Sequence, residues 1–279
     1  MSEMEMRALW LVVGRRPNLD NPLYIPEFAL QKPYGARQMG KMGIGYGSEF
    51  HLLRYLGYHR HELNRAIEQK TGGRVSDWLD FAFGCEKNLD SEWKGMDFLG
   101  STSDAKSAWE NFWPQTGNVP NWDAVGLLEL NSRTEYLLVE AKAHVEELRS
   151  TCAAKKGGGL DTIQKALDAT IKANGFTAEV EDWMSPYYQY ANRLAQLHFL
   201  WHQGIPARLI FIYFCGDDWG DKTVKDGKPP DCPKEAEQWS ECLDQMHDRL
   251  GLNGQNKLEE CVHHLFLPVH RNAVWGGVR

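Results

Sequence analysis

The sequence predicts an α/β fold with a mixed central β-sheet sandwiched between helices, and three observations carry that prediction. Two β-prone runs, Trp122 to Leu130 and Glu135 to Ala143, flank the turn-forming Asn131-Ser132-Arg133-Thr134 and read as a hairpin. The unbroken apolar run Leu209-Ile210-Phe211-Ile212-Tyr213-Phe214 has the composition of a strand covered on both faces. Between and around these lie segments whose apolar residues recur at helical spacing.

In chain order, the short apolar run Ala8 to Val13 predicts a buried strand within an N-terminal extension, residues 1–40. A helix is expected from Ser48, which reads as its N-cap. Glu49, Leu52, Leu53 and Leu56 share one stripe, and Leu63 and Ile67 prolong the helix to Thr71-Gly72-Gly73. A shorter helix spans Asp104 to Phe112 and stops before Pro114. After the hairpin comes the flexible Lys155-Lys156-Gly157-Gly158-Gly159. A helix then carries Ile163, Leu167 and Ile171 and ends at Asn174-Gly175. The next, from about Pro186 to Gln203, aligns Tyr190, Leu194, Leu197 and Trp201 on one face. The stretch from Gly216 to Asp231 is rich in Asp, Gly, Lys and Pro and reads as a surface loop. Pro233 opens a helix bearing Ala236, Trp239, Leu243, Met246 and Leu250, and a strand covers Val262 to Leu267. A single domain results, with a core over residues 48–214 and a C-terminal helix and strand over residues 215–279.

Composition bounds the function. The 279 residues are 42% hydrophobic and 25% charged, ordinary for a folded protein. No run reaches the ~18 apolar residues of a membrane span. The acidic Met1-Ser-Glu-Met-Glu-Met start lacks the basic flank of an export signal, so a cytoplasmic location is expected. The six cysteines form no Cys-x-x-Cys pair and are expected to be reduced thiols. A net charge of −7 argues against a protein that coats polyanions, while leaving room for a locally basic cleft.

Chemistry concentrates on the hairpin. If the chain turns at Asn131 and Ser132, Leu130 pairs with Arg133 and, counting outwards, Asp123 pairs with Glu140. Directly paired residues share a face with Cβ atoms ~5 Å apart. Period two then sets Lys142 beside Glu140. Two adjacent carboxylates repel, so one holds its proton unless a cation joins them. A hard divalent ion suits an all-oxygen site. Lysine beside it can steady a nucleophilic water or charge growing on a phosphate.

At Asp123 and Glu140-Ala141-Lys142 the sequence resembles the PD-(D/E)XK nuclease superfamily. The resemblance implies a restriction-endonuclease-like core and a divalent-metal-dependent nuclease, using Mg²⁺ or Mn²⁺ to hydrolyse phosphodiesters of nucleic acid, DNA first. It implies Asp123 and Glu140 as metal ligands, the Ala141 carbonyl as a further ligand and Lys142 as the assisting residue. Glu49, on the preceding helix, is similar in placement to the extra acid many members carry. Trp122 stands where the motif's Pro is usual, and the helix from Pro186 lacks the Gln-x-x-x-Tyr of the exonuclease branch.

Further nucleic-acid contacts are expected from Lys155 and Lys156 in their glycine loop, and from Gln189, Asn192 and Arg193 on one helix. Gly43-Ile-Gly45-Tyr-Gly47 lacks the spacing of a dinucleotide fingerprint, and Asp217, Asp218 and Asp221 fail the order of a calcium loop. His263 and His264 are expected to be structural. The alternative function is a catalytically inactive nucleic-acid-binding or assembly subunit on the same fold. A homo-oligomer is compatible with either.

Overall fold

The computed structural model describes residues 47–79, 92–100, 104–117, 119–217 and 231–270. The expected strand at Ala8 to Val13, the glycines at 43 and 45, Cys85 and most of the loop after Gly216 lie outside them. Helices α1 (Ser48–Tyr58) and α2 (Arg60–Thr71) lead into strand β1 (Arg74–Trp78). A two-residue strand β2 (Trp93–Lys94), helix α3 (Asp104–Phe112) and a second short strand β3 (Asn121–Trp122) precede the hairpin, β4 (Ala124–Leu130) and β5 (Arg133–Lys142). Helices α4 (Leu160–Asn174), α5 (Val180–Met184) and α6 (Tyr188–His202) connect β5 to β6 (Ala207–Cys215). Helix α7 (Ala236–Leu250) connects β6 to β7 (Val262–Pro268).

The main sheet runs β1-β4-β5-β6-β7. Its β1, β4 and β5 are antiparallel neighbours, whereas β5, β6 and β7 run parallel. The expected α/β class with a mixed sheet is therefore present. Alternation along β5 and β6 divides the core in two. Leu137, Val139, Ala141, Ile210, Ile212 and Phe214 pack under Leu52, Leu56, Leu63 and Ile67 of α1 and α2. On the opposite face Leu138, Leu209, Phe211 and Tyr213 pack against Trp109, Leu167, Leu194, Leu197 and Trp239. Helices thus cover both faces, which explains why the central strands read as unbroken apolar runs.

Several local expectations need correcting. The long first helix breaks at His59, whose amide bonds back to the carbonyls of Arg54 and Tyr55 while its own carbonyl accepts from Glu62 and Leu63. Ser48 is the first helical residue and caps nothing; its hydroxyl donates instead to Glu147 Oε2 at 2.8 Å. Strand β1 and helix α5 were not foreseen. Helix α7 starts at Ala236 behind Glu235, three residues past Pro233. Trp201 is 43% exposed rather than core, although its indole N–H donates to the Ala207 carbonyl at 3.0 Å. The helices at Asp104–Phe112 and Leu160–Asn174 match their expected bounds, the latter ending on left-handed Gly175.

Candidate active site

The hairpin turns at Asn131 and Ser132, both with positive φ (50° and 61°), the backbone that a tight two-residue turn requires. Leu130 pairs with Arg133 and Ala124 with Val139. The ladder stops at that pair, so the expected pairing of Asp123 with Glu140 is not part of it. There β4 departs from the ladder. Hydrogen-bonded pairs alternate along an antiparallel ladder, so a continuing β4 would offer the Trp122 carbonyl to Ala141 N–H. Trp122 instead pairs with Trp93 in the small β2–β3 ladder. Asp123 donates its own amide to the Val139 carbonyl at 3.1 Å. Its side-chain Oδ2 accepts the Ala141 amide at 2.7 Å. A carboxylate thereby takes the acceptor position that the strand vacates, and Asp123 is fixed beside the Glu140-Ala141-Lys142 triplet.

Glu140 is buried and surrounded by donors. Lys142 Nζ and Gln189 Nε2 donate to Oε1, the latter at 2.7 Å. Arg193 Nε donates to Oε2 at 2.8 Å. The guanidinium also donates to Asn192 Oδ1 at 2.8 Å and to the Asn121 carbonyl, and lies over the Trp122 ring with 4.9 Å to the centroid. A carboxylate accepts about four hydrogen bonds, so these three side chains leave little of its capacity free.

The charges are strongly coupled. Burial works against charge on Glu140, but Arg193 and then Lys142 outweigh it and hold the carboxyl below its usual range. Lys142 is likewise opposed by burial and held cationic by Glu140 and Asp123. Asp123 goes the other way. Burial first, and the Glu140 charge second, push its carboxyl well above the usual range, against weaker help from Lys142 and the Ala141 amide. Of the two acids, Glu140 is held charged by protein cations, whereas burial and the Glu140 charge favour the protonated form of Asp123.

Above Lys142 lies a second polar layer. Glu49, in the first turn of α1, is half-buried; desolvation, then the charges of Glu92 and Glu147, raise its pKa while Lys142 opposes them. Glu147 accepts from Ser48 Oγ and from the Ala143 amide and lies 3.0 Å from His144 Nδ1. The other ring nitrogen of His144 is 3.0 Å from Asp217 Oδ2, and His51 Nε2 is 3.1 Å from Asp217 Oδ1. Asp217 also accepts the Gly47 amide at 2.8 Å. Burial opposes the His144 cation, yet Asp217 and Glu147 raise its pKa to about 10. This network ties the start of α1, and with it Glu49, to the end of β5.

Sequence reasoning missed His51, His144, Glu147 and Asp217. His144 was within reach, since it extends the period-two series Glu140, Lys142, His144. Asp217 offered no such signal, being brought to Gly47 across 170 residues of chain. The expected nucleic-acid contacts divide. Asn192 and Arg193 are buried, and with Gln189 they form one network whose guanidinium and amide ends reach Glu140. They therefore do not lie on a solvated helix face. Lys155 and Lys156 are exposed in the turn closed by Gly158 N–H to the Lys155 carbonyl. Ala141 is fully buried. Burial first, then neighbouring cationic or ring groups, lowers the pKa of His263 to about 4 and of His264 to about 3.

A divalent cation suits the oxygen donors of Asp123 and Glu140 and would favour the charged form of Asp123, with Glu140 having to release one of its present donors to bind it. Glu49 feels the Lys142 charge, which lowers its pKa against burial, Glu92 and Glu147. Among the described residues, though, the acids Glu49, Asp123 and Glu140 do not all offer oxygens within 4.8 Å of one another. No protein-family model, curated protein or solved structure matches the chain.

Proposed function

We propose that the protein is a divalent-metal-dependent nuclease of the PD-(D/E)XK type with a restriction-endonuclease-like core, hydrolysing phosphodiester bonds of DNA. The observation that carries this reading is the Asp123 carboxylate held on the Ala141 amide within the Glu140-Ala141-Lys142 triplet, where burial and the Glu140 charge outweigh the help it takes from Lys142 and Arg193. Asp123, Glu140 and the Ala141 carbonyl would hold Mg²⁺ or Mn²⁺, and Glu49 would hold a water bound to it. The ion, when bound, supplies the acidity of the attacking water and part of the charge neutralisation at phosphorus. Lys142 presents a fixed positive charge where the phosphate gains negative charge. Arg193 and Gln189 hold the Glu140 carboxylate in one orientation, and so position a ligand without touching substrate. Lys155 and Lys156 would meet backbone phosphates. Water oxygen attacks phosphorus, the P–O ester bond breaks and the departing oxygen leaves with a proton.

One observation favours a second reading, an inactive binding or assembly subunit on this fold: Glu140 is already neutralised by Arg193 and Lys142. Thermal melts separate the two. An ion that binds only the folded protein at 100 times its dissociation constant stabilises by ~2.7 kcal/mol. The nuclease reading expects Mg²⁺ or Mn²⁺ to raise the melting temperature of wild type and to leave Asp123→Ala unmoved. The subunit reading expects no shift in either.

A further inference from the structure

Away from the central cleft, the corner between α1 and α2 brings together two imidazoles and a carboxylate. His59 occupies the corner, with its amide and carbonyl both engaged by the flanking helices, so its side chain leaves a fixed backbone. Glu62, one turn on, places Oε1 3.0 Å from His59 Nδ1. His270, just past β7, places Nε2 3.0 Å from Glu62 Oε2. That nitrogen is shut off from solvent and makes no hydrogen bond of acceptable geometry despite the short distance. The rings stack with centroids 3.6 Å apart and planes within 10°. One donor atom from each of the three residues lies within 4.8 Å of the others.

The protonation states suit a cation. Desolvation and then the neighbouring His59 lower the His270 pKa, against the opposing Glu62 charge. The hydrogen bond between His59 Nδ1 and Glu62 Oε1 is the main cause that keeps the Glu62 carboxyl below its usual range. Two stacked imidazoles repel if both are protonated, so the same arrangement disfavours a purely ionic cluster.

We propose that His59, Glu62 and His270 form a second metal site, for a borderline divalent cation of the zinc type. Imidazole with one carboxylate suits Zn²⁺, Ni²⁺ or Cu²⁺ and discriminates against Mg²⁺. Ligand distances of ~2.0–2.2 Å need the three donor atoms to draw in slightly, and the exposed Glu62 can do so without moving the core. Three protein ligands leave one tetrahedral position for water. The ion would pin the end of β7 to the helical corner, where Tyr55 Oη already donates to the Pro268 carbonyl at 2.8 Å. It would thereby brace the helix whose first turn carries Glu49.

The test is calorimetric titration of the full chain with Zn²⁺ in excess Mg²⁺, with Co²⁺ absorption as a second readout of coordination. Wild type and Asp123→Ala are expected to bind one equivalent alike. Glu62→Gln and His270→Gln are expected to bind at least tenfold more weakly and to lose the Co²⁺ bands. His61→Ala, an exposed neighbour, is expected to behave as wild type. Circular dichroism checks that the variants fold, and Glu62, being exposed, is the safer of the two. Absence of saturable binding, equal affinity in Glu62→Gln and His270→Gln, or loss only in Asp123→Ala overturns the proposal. The last result would assign zinc to the central cleft and leave the nuclease reading standing.

Discussion

Asp123 Oδ2 accepts the amide proton of Ala141 at 2.7 Å, where an unbroken β4 would have offered a backbone carbonyl. The strand leaves the ladder one residue before Ala124, because Trp122 is committed to Trp93 and to the Gly95 carbonyl, which its indole N–H meets at 3.1 Å. This exchange of a carbonyl for a carboxylate sets a half-buried acid next to Glu140 without leaving the Ala141 amide unsatisfied. It also makes the site depend on two neighbouring features, the guanidinium over Trp122 and the turn that sets the register.

Arg193→Met should be strongly destabilising. It strands the Glu140 charge with Lys142 and Gln189 alone and removes a donor from the Asn121 carbonyl. Breaking a buried ion pair from one side costs about 3–5 kcal/mol. Arg193→Lys should recover little of it, since an ammonium cannot serve Glu140, Asn192 and Asn121 together. Urea unfolding of the three proteins measures this, and a loss under about 1 kcal/mol in Arg193→Met would remove Arg193 from its positioning role.

The layer above Lys142 makes stability depend on pH from both sides. His144 has its folded pKa raised from 6.5 to about 10, so its contribution is full below pH 6.5 and is lost as pH rises towards 10. Asp217 is opposed by burial but held well below 3.8 by His144 and His51, so its contribution is present above pH 3.8 and lost as pH falls below it. Wild type should exceed His144→Gln by about 2 kcal/mol near pH 6, the scale of a hydrogen bond to a charged group. That gap should close in alkali, whereas the gap to Asp217→Asn should close in acid. Denaturant midpoints across pH 3 to 10 report both, and parallel curves for all three proteins would contradict the network.

Ser132→Gly should stabilise. Ser132 sits at φ 61°, where an L side chain is strained by ~1–2 kcal/mol, and glycine relieves this. Glycine's larger entropy in the unfolded chain offsets part of the gain, so a net rise of about 0.5–1 kcal/mol is expected. Thermal melts measure it, and a fall in stability would argue against this turn and the register it sets.

What the sequence revealed, and what it concealed, follows from chain distance and periodicity. The register of β4 on β5 was legible because a two-residue turn fixes the pairs beyond it as far as Ala124 and Val139, whereas the break in β4 at Asp123 leaves no mark in the spacing. The covered strand at Ala207–Cys215 was legible because burial on both faces removes polar residues. Strand β1 was not, because a bulge between Val75 and Asp77 breaks its alternation. Gln189, Asn192 and Arg193 read as a polar helix face, since periodicity cannot tell solvent from a buried carboxylate on a sheet. Helix α6 is buried over most of its circumference, and Arg193 and Asn192 lie inside with Leu194 and Leu197. The His51–Asp217–His144 contacts join three distant parts of the chain, and no local spacing announces them.

The most direct measurement is cleavage of circular and linear DNA in Mg²⁺ or Mn²⁺ by wild type beside Asp123→Ala, Glu140→Gln and Lys142→Met, each first shown to be folded. Removing a ligand or the assisting cation from a site of this kind lowers the rate by at least ~10²-fold. The account predicts metal-dependent cleavage by wild type, abolished by chelation and reduced at least that far in each variant. Cleavage by the three variants at the wild-type rate, or no cleavage by wild type with either ion, would contradict it.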